Sequence, residues 1–226
     1  MIAIIIGMHR SGTSALSGVL HDNRIVMGRE DDFYPPPMKE NPKGFFENVR
    51  FRRLNDKILA EHGYKVKSFS TTIPLIENTS LHISRKMKDI ILNYTGDYDR
   101  WGFKDPRTCL TLYCWLAVIH SLDLMRMVKV LQIHRDFNEI QKSMKKRGNK
   151  ETEDMQFVNL ADTYTSKFSY YFHKFNRDYD VDIPHYSIRF TDLINFPDEV
   201  CTELSEFLNM KITDYSFIDP RLANVD

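Results

Sequence analysis

The chain has 226 residues, 42% of them hydrophobic and 12% aromatic, which is enough to bury a sizeable core and is typical of a soluble globular protein rather than a disordered or fibrous one. Its 31 lysines and arginines balance 31 aspartates and glutamates, so no net charge steers the protein toward nucleic acid or an anionic membrane. Any anion-binding site must therefore be local.

Cysteine usage and the N-terminal apolar run both bear on location. Cys109, Cys114 and Cys201 form no zinc-binding pattern and cannot all pair with one another, which favours buried, reduced thiols in a cytosolic compartment. The apolar run at residues 1–6 has no basic region before it and is shorter than a signal peptide or membrane helix requires. We therefore expect a cytoplasmic protein without a membrane span.

The predicted elements begin with a buried strand at residues 1–6, a polar loop after Gly7, and a helix from Ala15. Residues 24–28 form either a short strand or an extended loop, and three prolines at 35–37 hold the next segment out of a helix. Further helices are predicted at about 46–61, 80–94, 108–121, 136–146, 155–179 and 197–208, and further strands at 101–104, 127–134 and 185–189.

The loop after the first strand has the sequence Gly-Met-His-Arg-Ser-Gly-Thr-Ser, residues 7–14. A strand, a glycine turn and a helix N-terminus in this order form an anion cradle. Gly7 and Gly12 have the spacing of the P-loop pattern G-x-x-x-x-G-K-S/T, but Thr13 replaces the lysine that a kinase uses, and the cation is Arg10. The alternative, a glycine turn between two core elements, leaves the convergence of a cation and several hydroxyls on one helix start unexplained.

Strands that alternate with helices indicate a parallel sheet, with the ligand at the carboxyl ends of the strands. The fold class predicted for the chain is therefore α/β, of the P-loop type, with three α/β/α layers around a central parallel sheet. No repeat or low-complexity linker divides the chain, so residues 1–226 are expected to form one domain.

The loop at residues 7–14 resembles the 5′-phosphosulfate loop of sulfotransferases that use 3′-phosphoadenosine-5′-phosphosulfate (PAPS), in which a lysine or arginine stands where Arg10 does. The resemblance implies PAPS as cofactor and 3′,5′-adenosine bisphosphate (PAP) as product. It also implies that the 5′-phosphosulfate is bound by Arg10, Ser11, Gly12, Thr13 and Ser14.

A second segment resembles the part of the same family that binds the 3′-phosphate, R-N/D-P-x-D/E-x-x-x-S-x-x-x-R. Arg135, Ser143 and Arg147 fit this pattern, while Phe137 replaces the proline and Glu139 the more common aspartate. Arginine suits the task because its planar guanidinium offers paired donors to phosphate oxygens. Without the first loop, a surface ion pair and an ordinary helix serine would explain these residues equally well.

Four further segments, residues 41–47, 54–56, 104–107 and 188–193, resemble landmarks of bacterial-type sulfotransferases and extend the resemblance over nearly the whole chain. The family often closes over the 3′-phosphate with a basic C-terminal segment, which makes Arg221 a further candidate.

Sulfuryl transfer to an acceptor requires alignment, a general base and stabilisation of the leaving phosphate. By resemblance, Arg10 receives the leaving phosphate and Lys104 approaches the sulfuryl oxygens; alternatively, Lys104 only pairs with Asp105 or another acid. Glu47 is our choice for the base and Glu30 its rival, although Glu47 could instead cap its helix. His9, inside the loop, is a further candidate for the base, but His9 and His134 are both interpreted as satisfied structural residues.

No metal is predicted, because the strand that would carry a magnesium-binding carboxylate in a kinase ends in the cation Arg135. Asp105 has Lys104 and Arg107 beside it, which opposes magnesium binding there. The leading hypothesis is a PAPS-dependent sulfotransferase acting on a hydroxyl or, less favoured, an amine. The alternatives are a nucleotide or small-molecule kinase with a degenerate P-loop, and a non-catalytic phosphate-binding module.

The acceptor class stays open among a sugar hydroxyl, a lipid headgroup and a small alcohol, with a tyrosyl protein also conceivable. The loop at 29–45 and the aromatic helix near Tyr164, Tyr170 and Tyr171 are candidates for the acceptor side. Most of these tyrosines are also explained as core residues. Nothing in the sequence indicates the oligomeric state.

Overall fold

The computed structural model describes residues 1–38, 41–66, 70–146 and 154–220, with the backbone alone described at 143–146 and 154–158. Its central sheet has four parallel strands in the order β2-β1-β3-β4. They are β1 (Ile2–Ile6), β2 (Trp101–Lys104), β3 (Val128–His134) and β4 (His185–Arg189). Every residue of β1 is buried, as expected for the inner strand of a parallel sheet that is covered on both faces.

The described helices are α1 (Thr13–Asp22), α2 (Val49–Glu61), α3 (Leu81–Asp97), α4 (Thr108–His120), α5 (Phe137–Lys146), α6 (Asp154–Tyr179), α7 (Phe190–Asn195) and α8 (Pro197–Leu208). Short 3-10 turns lie at Glu30–Asp32 and Met125–Met127. The short α7 was not predicted, because six residues that follow a strand directly are too few to show a helical period.

The helix predicted from residue 46 begins instead at Val49. Phe46 has a left-handed backbone, with φ of 54°. A residue in this conformation does not belong to a regular right-handed helix, so the helix begins after Phe46. Asn48 is the N-cap residue, and its side-chain oxygen accepts a hydrogen bond of 3.0 Å from the backbone N–H of Arg50. Residues 24–28 form an extended loop with a single bridge, between Val26 and Trp101.

The two faces of the sheet bury two separate clusters, so the predicted three-layer α/β/α arrangement is confirmed. Ile2, Ile4 and Ile6 point to the layer that contains α2, α3, α4 and α6. Ala3 and Ile5 point to the layer that contains α1, α7 and α8. The three cysteines are free and buried, as predicted.

Chain connectivity places a crevice between β1 and β3. From β1 the chain passes to β2 on one side of the sheet, whereas from β3 it passes to β4 on the other side. In open parallel sheets ligands bind at such a switch point, outside the carboxyl ends of the strands. Gly7 follows β1 at this point and Arg135 follows β3. None of the helices within the described ranges is long and apolar enough to cross a membrane.

Candidate active site

The phosphate loop, residues 7–14, begins at a glycine that no other residue could replace without movement of the backbone. A Cβ atom on Gly7 would lie 2.6 Å from the carbonyl oxygen of Ile133 on β3, 2.5 Å from Ser11 Oγ and 2.7 Å from Thr13 Cγ2. The Ser11 hydroxyl is buried and donates a hydrogen bond of 2.7 Å to the carbonyl of Met8. Ser11 therefore stabilises the loop itself, and a contact from Ser11 to a ligand stays a prediction.

Gly12 closes the phosphate loop and is the N-cap residue of α1. Its φ of +99° is left-handed, and a Cβ atom there would lie 2.1 Å from a ring carbon of Phe190. Arg10 is also left-handed, with φ of 70°. Because the N-cap residue has no side chain to cap the helix, the N–H groups of the first turn of α1 suit an anion.

A buried ion pair lies beside the first turn of α1. Lys104 Nζ, at the end of β2, is 3.4 Å from Glu47 Oε1, and the two side chains are 2% and 12% exposed. Lys104 Nζ also donates to Ser14 Oγ at 3.3 Å, and that hydroxyl donates to the carbonyl of Phe45 at 3.2 Å. Burial lowers the pKa of the Lys104 ammonium, while the charges of Glu47 and Asp105 act to raise it. Strand β2, helix α1 and the loop before α2 therefore meet at Lys104.

The geometry separates the two candidates for the base. Glu47 directly precedes the N-cap Asn48, so the helix cap that the sequence also allowed for Glu47 is provided by Asn48 instead. The backbone carbonyl of Glu47 accepts a hydrogen bond of 2.9 Å from the N–H of Tyr34, which fixes this part of the loop. Glu30 lies exposed in its 3-10 turn. The structure thus brings Glu47 to Lys104, and the role of either residue as base stays a prediction.

Asp105, the residue after Lys104, is fully buried and belongs to a different set of contacts. Its Oδ1 accepts hydrogen bonds from the Arg107 N–H at 3.0 Å and from Arg107 Nη1 at 2.8 Å, and its Oδ2 accepts one of 3.1 Å from Asn55 Nδ2. Arg107 Nε lies 2.8 Å from Asp56 Oδ1. Burial alone would raise the pKa of Asp105, but Arg107 and these hydrogen bonds hold that pKa below its ordinary value. The sequence indicated the two segments 54–56 and 104–107 but not the contact between them.

Arg135 lies on the other side of the crevice, after β3. Its Nε donates to Glu139 Oε2 at 2.7 Å, one helical turn along α5, and its side chain is only 5% exposed. Its guanidinium carbon lies 4.4 Å from the centre of the Phe190 ring, a distance at which a cation is attracted to the face of an aromatic ring. Phe190 therefore contacts both halves of the predicted cofactor site, and no sequence motif indicated this role.

Three further predicted contacts with the 3′-phosphate are not tested by the structure. Ser143 lies on α5, where its backbone alone is described. Arg147 and Arg221 lie outside the described residues. All three stay predictions.

The aromatic residues that were candidates for the acceptor side separate into core and surface. Tyr164 and Tyr171 are buried in the core, which confirms the core explanation for them, whereas Tyr170 is 41% exposed. The His9 ring, in the phosphate loop, contacts the edge of Tyr164 with a centroid distance of 5.9 Å. Burial lowers the pKa of His134, which disfavours a charged imidazole at that strand end.

The loop before α2 is attached to the C-terminal segment, which sequence analysis did not predict. Lys43 Nζ donates hydrogen bonds to the carbonyls of Ser216, at 2.9 Å, and Phe217, at 2.8 Å, and lies 5.1 Å from the centre of the Phe217 ring. That ring covers Gly18 of α1, where a Cβ atom would lie 2.4 Å from it. Within the described residues, no group of three or more His, Cys, Asp or Glu side chains could hold a metal ion.

Several solved structures of sulfotransferases are similar to this chain in fold. The sulfotransferase domain of the Synechococcus PCC 7002 olefin synthase superimposes with a TM-score of 0.51 at 16% identity, over 99% of this chain and 86% of that one. The sulfotransferase domain of the curacin biosynthetic pathway gives 0.48 at 15% identity, over 97% and 77% of the two chains. The sulfotransferase STF1 of Mycobacterium tuberculosis gives 0.46 at 17% identity, over 98% and 69%.

At these identities, likeness to solved structures concerns the fold alone. No curated protein matches the chain. The sequence model of the sulfotransferase family, however, matches residues 3–214, which is most of the chain, and the chain therefore belongs to the sulfotransferase family.

Proposed function

We propose that this sulfotransferase transfers a sulfuryl group from PAPS to an acceptor hydroxyl. The observation that carries the proposal is the Lys104–Glu47 ion pair, buried beside the first turn of α1 and joined to it through Ser14. A buried ion pair is costly to maintain. Its position, next to the loop at residues 7–14 and the N-terminus of α1, is where an acceptor, a sulfuryl group and a leaving phosphate would meet.

The residues of the crevice fit the two ends of PAPS. The first turn of α1 and Arg10 would hold the 5′-phosphosulfate, because a helix N-terminus and a guanidinium both favour an anion. Arg135, at the end of β3, would hold the 3′-phosphate, with Ser143, Arg147 and Arg221 as proposed partners. Because Arg135 is already oriented by Glu139 and by the Phe190 ring, little side-chain freedom would be lost on binding.

In the proposed reaction, Glu47 accepts the proton of the acceptor hydroxyl as the new oxygen–sulfur bond forms. The sulfur–oxygen bond to the 5′-phosphate breaks, and the electron pair of that bond stays with the phosphate. Arg10 and the N–H groups of α1 stabilise the charge that develops there, while Lys104 stabilises the sulfuryl oxygens.

Two features of the crevice oppose phosphoryl transfer with magnesium. Asp105 is the carboxylate closest in the chain to Lys104, but both of its oxygens accept hydrogen bonds from Arg107 or Asn55. The end of β3 presents the cation Arg135 where a kinase would need a carboxylate.

For the acceptor we propose a sugar, a lipid headgroup or a small alcohol. For the cellular location we propose the cytoplasm, which cell fractionation would test.

Titration calorimetry tests the cofactor. We expect PAP to bind without metal, and ADP to bind weakly with or without magnesium. The reason is that PAP has the 3′-phosphate that Arg135 is proposed to hold, whereas ADP lacks it. Binding of ADP that strengthens with magnesium, with no binding of PAP, would favour the kinase. Absence of binding by either nucleotide would favour a non-catalytic module. If PAP binds, labelled PAPS and a panel of hydroxyl acceptors would then identify the substrate class.

A further inference from the structure

Glu47 and Lys104 come from different elements, so their pairing depends on contacts that fix the positions of these elements relative to each other. Glu47 lies just before α2, whereas Lys104 is the last residue of β2, before the turn that leads into α4. Their charged atoms are nevertheless 3.4 Å apart in a buried site. A displacement of α2 relative to this turn by about 1 Å would break the pair, and misplacements of that size are costly to catalysis.

A buried side-chain amide joins α2 to this turn. Asn55, on α2, is fully buried. Its Nδ2 donates to Asp105 Oδ2 and to Thr108 Oγ1, both at 3.1 Å, and its Oδ1 accepts from Thr111 Oγ1 and Trp115 Nε1, both at 2.7 Å. Both polar atoms of the amide are thus satisfied, which makes a network of this kind rigid.

Arg107 forms the second connection. It contacts Asp105 Oδ1 at 2.8 Å and, through Nε, Asp56 Oδ1 at 2.8 Å. Asp105 therefore receives donors from both sides, Asn55 on α2 and Arg107 at the start of α4, while its own backbone follows Lys104. Asp105 adjoins Lys104 in the chain and its charge raises the pKa of Lys104, so we expect a change at the Asp105 carboxylate to affect Lys104.

We propose that Asp105 is a positioning residue, whose carboxylate, held by Asn55 and Arg107, keeps the Lys104 ammonium protonated and aligned with Glu47. Its catalytic part rests on the proposed function. Within the described residues, the charges that act on Lys104 are those of Glu47 before α2, Asp105 in the turn after β2 and Arg107 at the start of α4. Ser14 of α1, which contacts Lys104, is neutral.

The charges around Lys104 predict the sign of each perturbation. Burial lowers the pKa of Lys104, Glu47 and Asp105 raise it, and Arg107 lowers it. Without the charge of Asp105, less negative charge would oppose the repulsion from Arg107. Lys104 would then lose its proton at lower pH, and sulfuryl transfer would lose its cation there.

The experiment is an NMR titration of the ¹³Cε signals of lysine, with the Lys104 signal assigned by its absence in Lys104→Arg. Asp105→Asn should move the titration midpoint of Lys104 to lower pH. Thr111→Val is the matched control, because it removes a hydrogen bond from the same Asn55 amide on the side away from Asp105; its midpoint should stay at the wild-type value. An unchanged midpoint in Asp105→Asn would overturn the proposal.

A second variant decides the matter if Asp105→Asn does not fold. Arg107→Gln removes the positive charge but keeps a side-chain amide that can donate to Asp105, so the Lys104 midpoint should move to higher pH. A midpoint that stays or falls would count against the proposal. Neither titration requires activity, so a failure of this inference is seen in the Lys104 midpoints. A failure of the proposed function is seen separately, as absence of PAP binding to the wild type.

Turnover provides the final comparison once an acceptor is known. Asp105→Asn should lower kcat at least tenfold at neutral pH, move the alkaline limb of the pH profile to lower pH, and leave the affinity for PAP within about twofold of wild type. Thr111→Val should leave that limb in place. A purely structural role for Asp105 would lower the amount of folded protein without moving the limb, and this result would also overturn the proposal.

Discussion

The guanidinium carbon of Arg135 lies 4.4 Å from the centre of the Phe190 ring, and the same ring fills the space where Gly12 lacks a side chain. Phe190 is the first residue of α7, directly after the edge strand β4. One aromatic side chain therefore supports both the loop proposed to hold the 5′-phosphosulfate and the cation proposed to hold the 3′-phosphate.

We predict that Arg135→Ala weakens PAP binding by roughly 10- to 100-fold, which corresponds to about 1.5–3 kcal/mol for a hydrogen bond to a charged group. Arg135→Lys should give an intermediate affinity, because it keeps the charge but loses the planar group above Phe190. Arg126→Ala is the control, since Arg126 is exposed at the opposite end of β3. Titration calorimetry measures all three, and an Arg135→Ala protein that binds PAP as the wild type does would remove Arg135 from the site.

Gly12→Ala should both destabilise the protein and abolish PAP binding. A left-handed backbone costs a residue with a Cβ about 1–2 kcal/mol, and the new Cβ would also collide with the Phe190 ring. Gly63→Ala isolates the first cost, because Gly63 has a φ of +74° and nothing within 4 Å of the added atom. Thermal unfolding should therefore show a larger loss for Gly12→Ala, and Phe190→Ala in that background should recover part of the difference. Equal losses in the two glycine variants would contradict the packing argument.

Local patterns were sufficient to predict the strands and the strand–loop–helix arrangement of β1 and α1. The apolar run of β1 and the spacing of Gly7 and Gly12 are short-range features, so they can be read from neighbouring residues alone. The contact between Lys104 and Glu47 joins residues 57 positions apart, so the sequence indicated both residues but not their pairing. The resemblance indicated the segment 54–56 but not the role of Asn55, because that role depends on four partners that only the packing of α2 against α4 brings together.

Glu47→Gln should retain PAP affinity and lose turnover by at least about 10²-fold, the usual contribution of a general base. Glutamine has the shape of glutamate but cannot accept the acceptor proton at neutral pH. Glu30→Gln is the control, and we expect it to keep full activity because Glu30 is exposed. Both rates are measured as transfer from labelled PAPS at saturating acceptor. Full activity in Glu47→Gln together with loss in Glu30→Gln would reverse the two roles.

The Lys104–Glu47 pair should lower the stability of the protein at neutral pH. Because burial lowers the pKa of Lys104 in the folded state, the unfolded chain binds more protons between that lowered pKa and the ordinary value of a lysine. The free energy of unfolding of the wild type therefore rises with pH across this interval.

The double variant Lys104→Met with Glu47→Gln removes both charges, and such replacements of buried ion pairs are often neutral or stabilising by about 1–4 kcal/mol. We expect it to be at least as stable as the wild type at pH 7, with an advantage that shrinks as pH rises. Urea unfolding at a series of pH values measures the difference, and an advantage that grows with pH would contradict the assigned direction of the Lys104 pKa.

Lys43 should couple the loop that carries Glu47 to the C-terminal segment. Its ammonium donates to the carbonyls of Ser216 and Phe217, and the segment is also held by Asn23, whose Oδ1 accepts from the N–H groups of Thr213 and Asp214 at 2.8 and 3.1 Å. Lys43→Met keeps most of the apolar stem but removes these donors, while Asn23 continues to hold the segment.

We therefore predict that in Lys43→Met the amides of residues 213–220 and 41–48 exchange hydrogen roughly tenfold faster, which corresponds to about 1.4 kcal/mol, without global unfolding. The control is Lys57→Met, at an exposed position on α2. Mass spectrometry after deuterium labelling locates the change. Faster exchange in the C-terminal segment alone would mean that Lys43 holds that segment without restraining the loop before Glu47. Faster exchange in both segments would mean that both depend on the same contacts of Lys43, so that a ligand bound at one segment would also stabilise the other.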